Sequence, residues 1–260
     1  MKLIANVCMY NEVEKGNLKR CLDNLKYYCD DIVIWDDAST DNSVDVASTY
    51  TPYILSNGVN DQMNELAHKQ TLLDYSIELG ATHVFWLDCD EVVDSPGTLF
   101  GMRKLCEEWP EGIDAFSFHE RNLWRSERWV RVDSLFDIGW FVRLWKIQPG
   151  IRFKIQRGVH KQLYPCTVRN ILKSPYDVIH YGFHDYNKML VKIGAHLWTK
   201  EDWLSKAADN WILNETACEC FCMPFDRFPP GCKPLGNWVD KPLPKTIEEL
   251  KTYTELMEAK

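Results

Sequence analysis

The sequence has no apolar run long enough to cross a bilayer. Its longest, such as His83–Leu87, stop far short of the roughly twenty residues a spanning helix needs. No extended apolar stretch follows the start Met1-Lys2-Leu3-Ile4-Ala5-Asn6, so no secretory signal is read there and a cytoplasmic protein is expected. Internal repeats and low-complexity tracts are missing too. Positive charge is not in surplus: 30 Lys and Arg against 38 Asp and Glu give a net charge of −8, which speaks against nucleic acid as a general partner. Val7–Glu14 holds no glycine, which argues against the glycine-rich phosphate loop of a nucleotidyltransferase.

What is present is a chain of 260 residues with 45% hydrophobic side chains, enough to bury a full core. Ten cysteines would suit a disulfide framework in a small exported chain, but length and the missing export signal favour reduced, packed thiols. The spacing Cys218-x-Cys220-x-Cys222, with Cys232 beyond, departs from the paired spacing of structural zinc sites.

Short apolar runs alternate with amphipathic stretches over residues 1–95, the pattern of a parallel sheet with crossover helices. Strands are expected at Leu3–Met9, Ile32–Trp35, Tyr53–Leu55 and Val84–Leu87, and helices at Leu18–Tyr28, Ser43–Tyr50 and Gln62–Leu79. Asp41 or Asn42 can cap the second helix, and Ser95-Pro96 opens another with Ser95 at the cap. Short strands rich in Trp, Arg and Phe follow over 115–163, then a helix at Tyr186–Leu204 and a loop from Pro224 to Pro244. Thr246-Ile247-Glu248-Glu249 is a capping box for a last helix. The expected fold is α/β: a mostly parallel, Rossmann-like sheet flanked by helices, with a helical C-terminal extension. Divisions fall at 1–95, 96–205 and 206–260.

Three polar clusters sit at the C-terminal ends of expected parallel strands, where open α/β sheets bind ligands. They are Tyr10-Asn11-Glu12, Asp36-Asp37-Ala38-Ser39-Thr40-Asp41 and Asp88-Cys89-Asp90-Glu91. Carboxylates two apart at a strand end can turn hard oxygens toward one Mg²⁺ or Mn²⁺. Such a cation offsets the charge that develops on a diphosphate leaving group. An isolated D-x-D is most often a solvated turn; the ordered combination of all three clusters is much rarer by chance.

That combination, over Asn6–Glu12, Ile32–Ser43 and Phe85–Glu91, resembles the family 2 glycosyltransferases of the GT-A fold. Arg143-Leu144-Trp145, Gly158-Val159-His160-Lys161 and Ile179-His180-Tyr181-Gly182 are similar to segments of lipopolysaccharide-core-type members. The resemblance implies a metal-dependent inverting enzyme that moves a sugar from a nucleotide-diphosphate donor to a carbohydrate or lipid-linked acceptor. It makes 1–95 the donor-binding half and 96–205 the acceptor half. Asn11 and Glu12 would line the base pocket, and Asp36 or Asp37 would bond the base or ribose. Lys69, in the helical segment Glu65–Glu78, would approach the diphosphate. Asp88 would reach the ribose and metal, with Asp90 the principal ligand. The family's usual glycine after the paired acids is Ala38 here, so the backbone there is expected at negative φ. An inverting enzyme also needs a base for the acceptor hydroxyl: Asp137 is the first candidate, Asp133 and Glu120 the next. His160, then His180, is the candidate third metal ligand; as single residues, all of these are as readily surface or packing groups.

Tryptophan is abundant, with eleven in the chain; Trp124, Trp129, Trp140 and Trp145 in the acceptor half, and Trp238 beyond it, could stack on sugar faces or fill the core. A non-catalytic carbohydrate-binding relative would have no leaving group to neutralise and no use for Asp88 and Asp90. An enzyme acting on modified nucleic acid is the other alternative. Residues 121–173 hold twelve Lys or Arg and three acids (Glu127, Asp133, Asp137), a local +9 that leaves −17 elsewhere. A solvated face explains this as well as an anionic acceptor does. An anionic acceptor predicts a KM that climbs as salt is raised from about 20 to 300 mM, the range over which surface charge is progressively screened. A salt-independent KM would make the basic stretch a solvated face.

Overall fold

The computed structural model describes residues 1–131, 139–158, 163–185 and 187, with the backbone of 222–224. The chain divides into two compact units. The first takes in Met1–Glu120 and Gly139–Ile179; among described residues the second has 121–131 and those from His180 on.

The first unit is built on β1 (Leu3–Met9), β2 (Asp31–Asp36), β3 (Ile54–Leu55), β4 (His83–Trp86), β5 (Glu91–Val93), β6 (Ala115–Trp124), β8 (Trp140–Lys146) and β9 (Ile171–Phe183); β6 and β9 run on into the second. Its main sheet has the order β6-β8-β4-β1-β2-β3, in which β4, β1, β2 and β3 are parallel and β8 and β6 antiparallel. The chain steps from β1 to β2 and β3 on one side, then returns to place β4 on the other. The order therefore reverses between β1 and β4, and the C-terminal ends of strands at such a reversal are where open α/β sheets bind ligands.

β1 is buried on both faces and divides its residues by the two-residue period of a strand. Leu3, Ala5, Val7 and Met9 pack with Leu18, Cys21, Leu22 and Leu25 of α1 (Leu18–Leu25). Ile4, on the other face, belongs to the cluster containing Leu66, Leu72 and Leu73 of α3 (Glu65–Glu78). Asn6 is polar on that same face, and its Oδ1 accepts from Ser76 Oγ at 2.6 Å.

The expected elements form with shifted ends. α1 stops at Leu25, because the amides of Tyr27 and Tyr28 bond three residues back, to Asn24 and Leu25, and tighten the turn. α2 (Ser43–Ser48) is closed when Ser48 and Thr49 hydroxyls donate to the carbonyls of Asp45 and Val46. Its first amide, Ser43 N–H, donates to Asp41 at 2.9 Å; Asn42 makes no side-chain cap. The helix expected from Gln62 is a 3₁₀ turn, Gln62–Asn64, followed by α3. Asp94 rather than Ser95 starts the next helical segment, its Oδ1 accepting from Gly97 N at 2.9 Å. That segment is a π-helical turn, Gly97–Gly101, leading into α4 (Met102–Glu107). A Cβ on Gly101 would stand 2.1 Å from Tyr176 Cζ, so any larger residue would have to displace the Tyr176 ring where the turn lies against β9. β9 was not anticipated: Pro175 falls inside it, and a proline in a strand reads as a break.

The second unit contains β7 (Trp129–Arg131), which pairs with β10 (Cys222–Pro224) and with Leu123 of β6. Arg125 and Arg128 lie in the β6–β7 connection, so Arg125, Arg128 and Arg131 do not share one strand. Cys8, Cys21, Cys29, Cys89, Cys106 and Cys166 are free thiols. Cys218, Cys220 and Cys232, the helix expected at Tyr186–Leu204 apart from Asn187, and the C-terminal extension apart from Cys222–Pro224 lie outside the described residues. No helix among the described residues is long and apolar enough to cross a membrane.

His83, at the start of β4, is 4% exposed and packs against Trp109 with ring centroids 4.7 Å apart. Its Nδ1 lies 3.0 Å from Thr82 Oγ1, and its buried Nε2 has no hydrogen-bond partner. Protonation would set a cation in this apolar site, so burial first, then Lys146 and the N-terminal amine, depress its pKa to about 4. The unfolded chain takes up this proton near pH 6.5, and the folded one not until about pH 4, so stability falls as pH drops through that window, by about 3 kcal/mol in all. His83→Phe should remove this share of the loss, measured as denaturant midpoints at pH 7 and pH 4.5. An unchanged difference between the two midpoints would show that His83 is not the group responsible.

Candidate functional site

The register of the parallel strands sets the three polar clusters side by side. Met9 is opposite Asp36, and Asn6 is opposite Trp86. Asp37 N donates to Met9 O at 3.0 Å and Leu87 N to Asn6 O at 3.3 Å, which carries the alignment past the strand ends.

The loops after β1 and β2 are bonded to each other. Asn11 stands at φ 51, and its Oδ1 accepts from Thr40 N at 2.7 Å and Asp41 N at 3.3 Å. Asn11 N donates to Ser39 Oγ at 3.0 Å. Ser43 Oγ accepts from Glu12 N at 3.0 Å and Val13 N at 3.1 Å. Glu12 turns its carboxylate to Lys15 at 2.6 Å and Asn17 Nδ2 at 3.0 Å; burial, the largest influence, nonetheless raises its pKa. The Asn11 side chain and the Ser43 hydroxyl therefore tie the two loops together, while the Glu12 carboxylate is engaged within its own loop.

Ala38 corrects the sequence-based expectation: its φ is +61, not negative. A left-handed alanine costs about 1–2 kcal/mol, which the hydrogen bonds around it must offset. Asp36 receives Ser39 N at 3.2 Å on either carboxylate oxygen. Asp37 is 5% exposed; its Oδ1 accepts from Asp61 N at 3.0 Å, and its buried Oδ2 has no partner.

α3 brings a second set of groups. Lys69 is 3% exposed, with Nζ 2.6 Å from Glu65 and 4.5 Å from the Trp86 ring centroid. His68 stacks on Trp35 at 4.3 Å, and burial lowers its pKa.

The third cluster is organised by Arg143, which sequence reasoning assigned no role. Phe116 pairs with Leu144 and Ser117 with Val142, so Arg143 is the extra residue of a β-bulge. A bulge turns a side chain out of the alternation of its strand. Arg143 Nη1 meets Asp88 Oδ2 at 3.2 Å, while Nη2 bonds Glu91 Oε1 and lies 3.5 Å from Glu120 Oε2. Glu91 Oε2 accepts from Asp88 N at 3.0 Å, and Trp86 Nε1 donates to Asp88 Oδ1 at 3.1 Å. Burial pushes the Asp88 carboxyl up, but Arg143 and then Lys69 outweigh it and hold the group below its ordinary range. Burial pushes Glu91 well up. Burial also works against the charge on Arg143, which Glu91, Asp88 and Glu120 outweigh, raising its pKa.

Asp88, with a side chain 45% exposed, and Asp90 offer hard oxygens to a cation. Among the described residues, no group of three His, Cys, Asp or Glu is arranged to hold a metal ion. One or two carboxylates plus substrate phosphates are the usual Mg²⁺ set, so this pair fits such a cation. Asp137, Asp133 and His160 lie outside the described residues. His180 belongs to the second unit, where Nδ1 meets Asn122 Oδ1 at 2.6 Å.

The basic stretch is less open than its count suggested. Arg125, Arg131 and Arg143 are buried, Arg131 stacks on Trp124 at 4.3 Å, and Arg143 is paired with acids outside the stretch. Arg128, Lys146, Arg152, Lys154, Arg157, Arg169 and Lys173 are exposed. Trp124 and Trp145 are core residues, whereas Trp140 is 38% exposed.

Residues 5–69 match the family model described as Glycosyl transferase family 2. A crystal structure of residues 1–349 of S. aureus TarS matches with a TM-score of 0.50 and 13% identity over 84% of this chain and 72% of that one. TarS in complex with UDP-GlcNAc matches with a TM-score of 0.39 and 17% identity over 47% of this chain. The chain spans only 35% of that TarS chain. Glucosyl-3-phosphoglycerate synthase from Mycobacterium tuberculosis, with Mg²⁺ and UDP, matches at 0.32 and 19% identity over 46% of this chain and 44% of that one. No curated protein matches. The fold is that of the GT-A glycosyltransferases.

Ser43→Ala would leave the amides of Glu12 and Val13 without their acceptor, a loss of about 1–3 kcal/mol. Chemical denaturation should register that loss; a midpoint equal to wild type would mean that water replaces the hydroxyl.

Proposed function

We propose that the protein is a divalent-cation-dependent glycosyltransferase that moves a sugar, with inversion, from a nucleotide-diphosphate donor to a saccharide or lipid-linked hydroxyl. The observation that carries this reading is the convergence of Asp36, Asp37, Asp88 and Asp90 at the ends of aligned parallel strands, where the order reverses. The family match over 5–69 covers the first two of these acids and supports glycosyl transfer as the chemistry.

We assign the roles from the resemblance and, for the described residues, from the surroundings of their side chains. Asp37, with one carboxylate oxygen unpartnered, is suited to a hydroxyl or N–H of the nucleoside, with Asp36 beside it. Lys69 stands at the β4 end for the diphosphate. Asp88 and Asp90 would hold the cation, and His160 is the proposed third protein ligand. When bound, the cation neutralises charge on the departing diphosphate. Asp137 is the proposed base: its carboxylate takes the proton of the acceptor hydroxyl while that oxygen bonds the anomeric carbon and the bond to the diphosphate breaks. Asp133 and Glu120 are the next candidates, and the Glu120 carboxylate already faces Arg143. The segments similar to lipopolysaccharide-core-type enzymes, together with the exposed lysines and arginines of the basic stretch, favour an anionic saccharide or lipid-linked acceptor.

Purified protein screened against sugar nucleotides should release nucleoside diphosphate with Mn²⁺ or Mg²⁺, lose that activity in EDTA, and lose it in Asp90→Asn with the fold intact. Full turnover in EDTA would end the cation-dependent reading. Asp137→Ala should lower kcat by about 10²–10⁴-fold, the usual share of a general base. Product NMR should show a β linkage from an α-linked donor; retention would remove the base from the scheme.

A further inference from the structure

We propose that Arg143 is a positioning residue that aims the Asp88 carboxylate at the cation, an inference that rests on the cation-dependent reading above. Antiparallel pairing of Phe85 with Leu144 brings Arg143 level with the end of β4, and the bulge frees it from the alternation of its strand. From there the guanidinium makes two connections to the same turn. Nη1 holds Asp88 Oδ2 directly at 3.2 Å. Nη2 holds Glu91 Oε1, and the other oxygen of Glu91 accepts the Asp88 amide at 3.0 Å. Asp88 is thus fixed through its side chain and its backbone by one planar group. A planar fork can do this, whereas an ammonium on a flexible stem acts as one point charge. With Asp88 Oδ1 held by Trp86 Nε1, the rotation of the carboxylate is set from both sides. Both Glu91 oxygens are engaged, one by Arg143 Nη2 and the other by the Asp88 amide, so its part is to carry the position of Arg143 to the Asp88 main chain.

A structural role predicts loss of stability alone; a positioning role predicts loss of cation affinity in a protein that is still stable. Arg143→Met would strand Glu91 as a buried, uncompensated acid and lower Tm. Adding Glu91→Gln removes that charge and keeps an acceptor for the Asp88 amide, so the double variant should recover most of the Tm. Mn²⁺ alone, titrated calorimetrically, should nevertheless bind the double variant ~10–100-fold more weakly than wild type, the range typical when a partner of a metal ligand is lost. Arg143→Lys keeps the charge without the fork, should fold in any case, and should show a weakening of the same order. Mn²⁺ affinity within twofold of wild type in Arg143→Lys, or in a folded double variant, overturns the proposal while leaving cation dependence standing. No Mn²⁺ binding by wild type, either alone or with a nucleoside diphosphate such as UDP present, overturns both.

Discussion

Arg143 carries a charge that the interior of a sheet would ordinarily reject, and the arrangement of the β4 end depends on how that charge is met. Desolvating a guanidinium costs several kcal/mol unless the geometry of its partners is good, and removing one partner of such a pair typically costs about 3–5 kcal/mol. The partners come from three separate places, Asp88 in the turn after β4, Glu91 at the start of β5 and Glu120 on β6, and Arg143 itself is on β8. Each strand must therefore hold its register for the cluster to close. In return, Asp88 is favoured in its ionised form at a strand end, the form in which a carboxylate serves as a ligand of a hard cation.

The parallel half of the sheet contributes alignment. Because β1 is buried on both faces, a slip of one residue would move Leu3, Ala5, Val7 and Met9 out of the α1 cluster and Asn6 away from Ser76. The same register places Asp37 beside Met9 and Leu87 beside Asn6, so packing of the core fixes the spacing between the two acidic clusters.

The parallel strands and the helices between them were legible because their apolar residues are continuous and their flanks carry turn-forming residues. Leu3–Met9 matches to the residue, while the helix ends differ by a few residues, where local side-chain bonds decide the last turn. Ala38 was misread because its left-handed backbone follows from the Asn11–Thr40 bonds, which join residues far apart in sequence. Arg143 was quoted for its motif and given no role, since a bulge exists only relative to the partner strand. The one available signal was a cation between Val142 and Leu144 in an otherwise apolar run. The basic stretch was overcounted for a similar reason: sequence gives the number of charges, not which of them face acids from other strands.

The bonds from Asn11 and Ser43 across the loops after β1 and β2 have a further consequence for how this region opens. Neither loop can leave its native conformation without breaking the bonds that hold the other, so the two form one cooperative unit. Their amides then share a single opening free energy, although the segments are separated by α1 and β2 in the chain. A ligand entering between them meets a surface whose ordering entropy was already spent in folding, and more of its contact energy remains available for affinity.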